Sequence, residues 1–281
     1  MIFTTKMNRP VYKLLHWIDK NKLQWKNLSS NPNAIDLLKT NIDKINWLRL
    51  SSNPNAIELL RNNKDKIDWY YLSLNPNAID LLKENPDKIN WDCLSINSSA
   101  IELLKANLDK ICWWCLCKNT NKEVLEILKE NPDKISWYHL STNSNAIKLL
   151  EANQDKIDWS YLTKNPSAIK LLEANQDKIE WFWLSINQGA IELLKANPNK
   201  INWDGLSSNL NAIELLKSNQ DKINWNLFSA NPSIFTFDYN QMTINFQTLA
   251  EEIIEKAYDP DRIQRLSVIY NFEFKDWFMF D

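Results

Sequence analysis

Asn75-Pro76-Asn77-Ala78-Ile79-Asp80-Leu81-Leu82-Lys83-Glu84-Asn85-Pro86-Asp87-Lys88-Ile89-Asn90-Trp91-Asp92-Cys93-Leu94-Ser95-Ile96 decides the fold, because the chain repeats it before and after. Trp25, Trp47, Trp69, Trp91, Trp113, Trp137, Trp159, Trp181, Trp203 and Trp225 mark the copies. Successive tryptophans stand 22 residues apart, except for a step of 24 between Trp113 and Trp137. A fixed period of this size predicts stacked repeats, each covering the apolar face of the next. The 281 residues therefore read as one array rather than two globular domains.

The copy from Asn53 shows the expected local structure. Asn53 suits a helix N-cap, and Pro54 suits the first helical position, where a missing N–H costs nothing. Ala56, Ile57, Leu59 and Leu60 form an apolar stripe at helical spacing, ending near Asn63. Asp68 then caps a short second helix. Its counterparts include Asn46, Asn90, Ser136, Asp158, Asn202 and Asn224. Ile67 before the cap and Leu72 after it make a hydrophobic staple. Acid–base pairs three apart, such as Glu58 with Arg61 and Glu102 with Lys105, belong on an exposed helix face. In two copies the signs exchange together, as Lys148 with Glu151 and Lys170 with Glu173. The two extra residues of the 24-residue step fall in the loop after Asn119.

These observations predict an all-α solenoid of short two-helix repeats with helical caps at both ends. Residues 1–30 read as a cap and a degenerate first repeat, 31–230 as the array, and 231–281 as a C-terminal helical cap. Pro10 is expected to open a helix carrying Val11, Leu14, Leu15 and Ile18. Leu249, Ile253, Ile254 and Ala257 mark a second, and Pro260 opens a third with Ile263, Leu266 and Ile269. The tail Phe272 to Phe278 is aromatic. Ten units spaced as packed helices would make an open superhelical array on the order of 90 Å long. The repeat tryptophans Trp47, Trp69, Trp91, Trp113, Trp137, Trp159, Trp181, Trp203 and Trp225 are expected in the core between units. A leucine-rich repeat is the competing fold, and Ile45 to Asn53 imitates part of its pattern. The place of Leu48 becomes Asp92, Ser160, Asp204 and Asn226 in other copies, which a leucine ladder would bury at a cost.

The unit resembles the short tryptophan-containing repeats of uncharacterised proteins encoded by giant DNA viruses of protists. The entry Lys13-Leu14-Leu15-His16-Trp17-Ile18 and the ending Asp259-Pro260-Asp261-Arg262-Ile263-Gln264 are similar to the ends of such proteins. The resemblance implies a viral α-helical repeat protein and no known activity, so it carries over no functional residue.

Composition narrows the function. Only two glycines are present, so asparagine at fixed positions must take over turn-making. A net charge of -2 disfavours a broad phosphate-binding surface. No apolar h-region precedes Pro10 and no run spans a bilayer, so an intracellular place, host cytoplasm or virion, is expected. The four cysteines Cys93, Cys112, Cys115 and Cys117 cluster, unlike a disulfide framework. Cys112-Trp113-Trp114-Cys115-Leu116-Cys117 could be read as a metal cluster, but a zinc site needs paired Cys-x-x-Cys motifs and no second ligand pair lies nearby. We expect no metal, no cofactor and no enzyme activity: His16 and His139 lie far apart, and Gly189 and Gly205 cannot build a phosphate loop.

The pair after each tryptophan varies while its frame stays fixed. It reads Leu48-Arg49, Tyr70-Tyr71, Asp92-Cys93, Trp114-Cys115, Tyr138-His139, Ser160-Tyr161, Phe182-Trp183, Asp204-Gly205 and Asn226-Leu227. Stacking would align Tyr70, Tyr71, Trp114, Tyr138, His139, Tyr161, Phe182 and Trp183 as a ridge. Such aromatics suit a protein-binding hot spot. They would equally serve local packing between the short helices. Bases of single-stranded nucleic acid could stack there too, but the ridge lacks a dense basic surface. A structural virion component is a further reading.

Overall fold

The computed structural model describes residues 10–270. They fall into two compact units: Leu14–Phe235, and a second built from residues 10–13 with 236–270. The larger unit is an all-α solenoid of regular repeats, as the period requires.

Each repeat is built from short pieces. In the Asn53 copy these are a 3-10 turn Pro54–Ala56, an α-helix Ile57–Arg61, a 3-10 turn Lys64–Lys66 and the tryptophan helix Trp69–Ser73. The expected continuous first helix is therefore broken in two. Asn53 accepts a hydrogen bond from the N–H of Asn55, only two residues on, which tightens the first turn. The backbone then passes through Ala56 at φ -93 and ψ 2 before the α-helix starts. Asp68 caps the tryptophan helix by accepting from Tyr71 N–H, and Asn46, Asn90, Asp158, Asn202 and Asn224 do the same. Ser136 does not; its hydroxyl goes to His139 instead.

Two ladders of buried polar side chains join the repeats. The amide of Asn53 donates to Asn31 O at 2.9 Å, which opens the preceding repeat, and to Ser29 O at 3.0 Å, which closes the one before it. Asn75, Asn97, Asn119, Asn143, Asn165, Asn187, Asn209 and Asn231 repeat this pair of bonds. The hydroxyl of Ser29 accepts from Asn46 N–H of the next repeat and donates to its own Trp25 carbonyl. Each group is satisfied, as burial demands. Asparagine thus supplies what a leucine-rich repeat would obtain from strands. At the 24-residue step the ladder is unbroken: Asn143 still reaches Cys117 O and Asn119 O. The insertion sits between Asn119 and the helix Val124–Glu130.

The solenoid closes on itself. Asn31 donates to Ser229 O at 3.1 Å and Asn231 O at 3.0 Å, so the first repeat treats the last as its predecessor. Gln24 N–H donates to Ser229, and Asn33 to Pro232 O. A tenth repeat is assembled from both ends. Its opening turn is Pro232–Ile234, and its tryptophan helix is Trp25–Leu28. Where the other repeats place an Ile-Leu-Leu helix, strands β1 (Tyr12–Leu14) and β2 (Phe235–Phe237) pair. Trp17 stacks on Phe228, which is buried in the leucine column.

The open array of ~90 Å is thus corrected to a ring, and that length becomes its circumference. The expected N-terminal helix from Pro10 is also corrected. Alternation in Val11-Tyr12-Lys13-Leu14 favours a strand once β2 offers an edge. Tryptophan helices of adjacent repeats pack directly on each other, more closely than the Ile-Leu-Leu helices do. They form the inner layer, and the Ile-Leu-Leu helices form the outer one. Lys39 reaches Glu58 and Arg61 reaches Glu84 across the outer layer. Glu102 and Lys105 make the expected pair within one helix.

The core is columns of Leu, Ala, Ser and Asn rather than tryptophan. Leu50, Leu60, Leu72 and Leu82 are fully buried, as are Ala56 and Ser51. All nine expected core tryptophans are only half-buried. A lysine of the next repeat covers most of them: Lys66 lies 4.6 Å from the Trp47 ring and Lys178 4.1 Å from Trp159. At the seam Lys22 covers Trp225. A half-exposed ring under a cation loses less on removal than a buried one. Trp159→Ala is expected to cost ~1–3 kcal/mol in urea denaturation. A loss of ~5 kcal/mol, the upper range for a buried tryptophan, would contradict this placement.

In the second unit, helices Tyr239–Ala257 and Pro260–Tyr270 contain the two apolar stripes expected there. Asp238 caps the first by accepting from Gln241 N–H, and Lys13 pairs with Asp238. The aromatic run Phe272 to Phe278 lies outside the described residues. Among the described residues no helix is long and apolar enough to cross a membrane.

Candidate functional site

The variable pair opens each tryptophan helix, and its two positions behave differently. Tryptophan is the first helical residue, and the cap bond goes to the third. In most repeats that third residue turns inward and the second faces solvent, whereas Leu227 is exposed at the third place and Ser160 is half-buried at the second. Leu48, Tyr70, Trp114, Tyr138 and Phe182 are accordingly exposed, by 41 to 54 %. Asp92, Asp204 and Asn226 are exposed in the same place. Tyr71, His139, Tyr161 and Trp183 are half-buried, while Cys93, Cys115 and Gly205 are buried. In most pairs one member is exposed and the other is at least half-buried.

Stacking brings most of the aromatics together. Trp114 lies 5.1 Å from His139, and His139 lies 4.9 Å from Tyr138. Tyr138 lies 3.7 Å from Tyr161. Lys164 then bridges Tyr161 at 4.3 Å and Trp183 at 3.3 Å, and Phe182 sits edge-on to Trp183. These residues form one strip across four repeats. Tyr70 and Tyr71 form a separate pair, divided from the strip by Asp92 and Cys93, with Arg49 over Tyr71.

Hydrogen bonding to Tyr161 pushes the Tyr138 phenol up to about 12. A hydrogen bond to Cys93 raises Tyr70. Burial, with a smaller effect of Lys118, lowers His139, whose Nδ1 lies 2.8 Å from the Ser136 hydroxyl. Lys118 itself lies 5.4 Å above Trp114. Desolvation by burial likewise lowers Lys164.

Lys118 and Lys164 were missed by reading the pair alone. The signal was a lysine five residues after Trp113 and Trp159, where other copies carry Ser, Thr, Ile, Leu or Ala.

The depressed His139 gives a pH prediction. The folded state holds the imidazole neutral among Trp114, Tyr138, Tyr161 and Lys118, and the unfolded chain accepts a proton first. Its contribution to stability is complete above about 6.5 and is lost as pH falls below that value. The urea midpoint of the parent should drop more between pH 7.5 and 5 than that of His139→Asn. Equal drops would contradict the assignment.

Among the described residues, no three His, Cys, Asp or Glu side chains gather where they could hold a metal ion. The chain matches no protein-family model, no curated protein and no solved structure.

Proposed function

We propose that the ring is a non-enzymatic scaffold that binds a protein partner through the aromatic ridge. The observation that carries this is the contrast within each repeat. The constant residues are consumed by ladders, caps and core. The residue after the tryptophan is free to vary and, in every repeat but that of Ser160, exposed, and in five repeats it is a large apolar or aromatic side chain. Exposed aromatic and leucine side chains at a regular spacing suit hot-spot contacts along an extended partner.

The competing reading is single-stranded nucleic acid. Lys118 and Lys164 favour it, since each places a cation on a ridge aromatic. Against it stand Asp92 and Asp204 in the ridge and the net charge of -2. Fluorescent single-stranded RNA and DNA at ~0.15 M salt separate the two readings, a range where phosphate-driven binding by a near-neutral protein is weak. The parent is compared with a variant carrying Tyr70, Tyr71, Phe182 and Trp183 as Ala. We expect no sub-micromolar affinity for either strand. Affinity in that range, lost in the variant, would replace the protein reading. Proteins co-purifying with the parent and absent from the variant would support it.

A further inference from the structure

Cys112 and Cys115 stand apart from the other cysteines. Cys112 occupies the cap of the helix Trp113–Leu116, and Cys115 is the third residue on. In six sister repeats the cap side chain reaches back over this turn to the N–H of that third residue. Here the cap makes no such bond. The backbone geometry that aims a cap at residue 115 is retained, and a thiol stands at each end. One helical turn separates their Cα atoms by about 5–6 Å, inside the range a disulfide requires. Both thiols are free, Cys112 half-exposed and Cys115 buried. The other two thiols are engaged elsewhere. Cys117 takes the place of the ladder serine and accepts from Ser136 N–H at 3.4 Å. Cys93 is buried one repeat away.

We infer that Cys112 and Cys115 are a redox site, closing a reversible disulfide by exchange with a small-molecule disulfide such as oxidised glutathione. The Cys112 thiolate attacks one sulfur of the glutathione disulfide, and one glutathione leaves as thiolate. Cys115 loses its proton and attacks the Cys112 sulfur of the mixed disulfide, expelling the second glutathione. Two protein thiols are oxidised, one disulfide is reduced, and the two protons end on the two glutathiones. Burial, and after it the neighbouring Cys112, raises the pKa of the Cys115 thiol. The second step is therefore the slow one at neutral pH, and it accelerates as pH rises. The bond would be a covalent version of the missing cap, and would pin the turn that carries Trp114. The site stands whether or not the ridge binds a protein.

The test uses the full-length folded protein in a series of glutathione buffers from reducing to oxidising, then alkylation and peptide mass spectrometry. Cleavage after Lys110 and Lys118 releases Cys112, Cys115 and Cys117 on one peptide. We expect that peptide to lose two hydrogens, with only Cys117 alkylated, and dithiothreitol to reverse the change. Cys93→Ser and Cys117→Ser should behave like the parent. Cys115→Ser should stop at a glutathione adduct on Cys112, and Cys112→Ser should form no disulfide. Circular dichroism confirms that each variant is folded. Full alkylation of all four cysteines in the most oxidising buffer would overturn the inference. So would a bond that falls on Cys93 or Cys117.

Discussion

Replacing Asn165 by Ala is expected to destabilise the ring by ~3–5 kcal/mol. The residue is fully buried and makes three hydrogen bonds. Its amide donates to Ser141 O at 3.0 Å and Asn143 O at 2.9 Å, and its Oδ1 accepts from Ser167 N–H at 3.0 Å. Alanine leaves Ser141 O and the Ser167 N–H without these partners and takes one of the two donors from Asn143 O, which keeps the Ala146 N–H. Each stranded group costs ~1–3 kcal/mol, and relaxation of the neighbouring turn recovers only part of the sum. Aspartate keeps the shape but turns a carboxylate toward two carbonyl oxygens, so Asn165→Asp should be at least as damaging. The control is Asn77→Ala, which removes an exposed side chain donating one bond to Pro54 O. Its cost should stay below ~1 kcal/mol. Urea denaturation followed by circular dichroism and by tryptophan fluorescence measures all three. Asn165→Ala unfolding within ~1 kcal/mol of the parent would mean the ladder does not hold the repeats together.

The ladder also marks where sequence reading stops. The period, the caps at Asp68 and Asn90, and the leucine columns follow from local chemistry, because a cap or an apolar stripe is defined within one repeat. Asn53 could be read as a cap for the same reason. That reading accounts for its oxygen alone. Its two amide protons find acceptors 22 and 24 residues earlier, and only the stack brings those carbonyls within reach. The lysine three residues before each tryptophan is a similar case. Lys66 was constant without an evident local task, and its ring partner is Trp47 of the previous repeat. The ridge was half legible. The sequence shows which pair varies. Which member is exposed depends on the stack, which in most repeats turns the third helical residue inward and leaves the second outside. Tyr70 and Trp114 therefore face solvent, and Tyr71 and Cys115 do not. The closure was hidden by its division between the termini. Trp25 has a tryptophan helix without an opening asparagine turn, and Asn231-Pro232-Ser233 is an opening turn without its tryptophan helix. Each looked like a decayed copy, yet together they make one.

Deleting residues 1–30 should have the largest effect on the protein. It removes the tryptophan helix of the tenth repeat, the buried Leu28 and Ser29, and the strand that pairs with β2. The repeats at both sides of the gap then present Leu, Ala and Asn columns to water. In a ring no terminal repeat carries a polar outer face, as the ends of an open solenoid must. The truncated chain should therefore self-associate or unfold at a markedly lower urea concentration than the parent, over a broader transition. A graded version avoids the objection that any truncation damages a fold. Asn31 makes the same two donor bonds at the seam that Asn165 makes in mid-array, at 3.1 and 3.0 Å. In a closed ring Asn31→Ala must cost about as much as Asn165→Ala, ~3–5 kcal/mol. In an array that is open in solution, the Asn31 amide would face water and its loss would cost well under ~1 kcal/mol. Equal penalties at the two sites, together with the scattering profile of a ring, are the expected result. A silent Asn31→Ala beside a damaging Asn165→Ala would show that the ends do not meet.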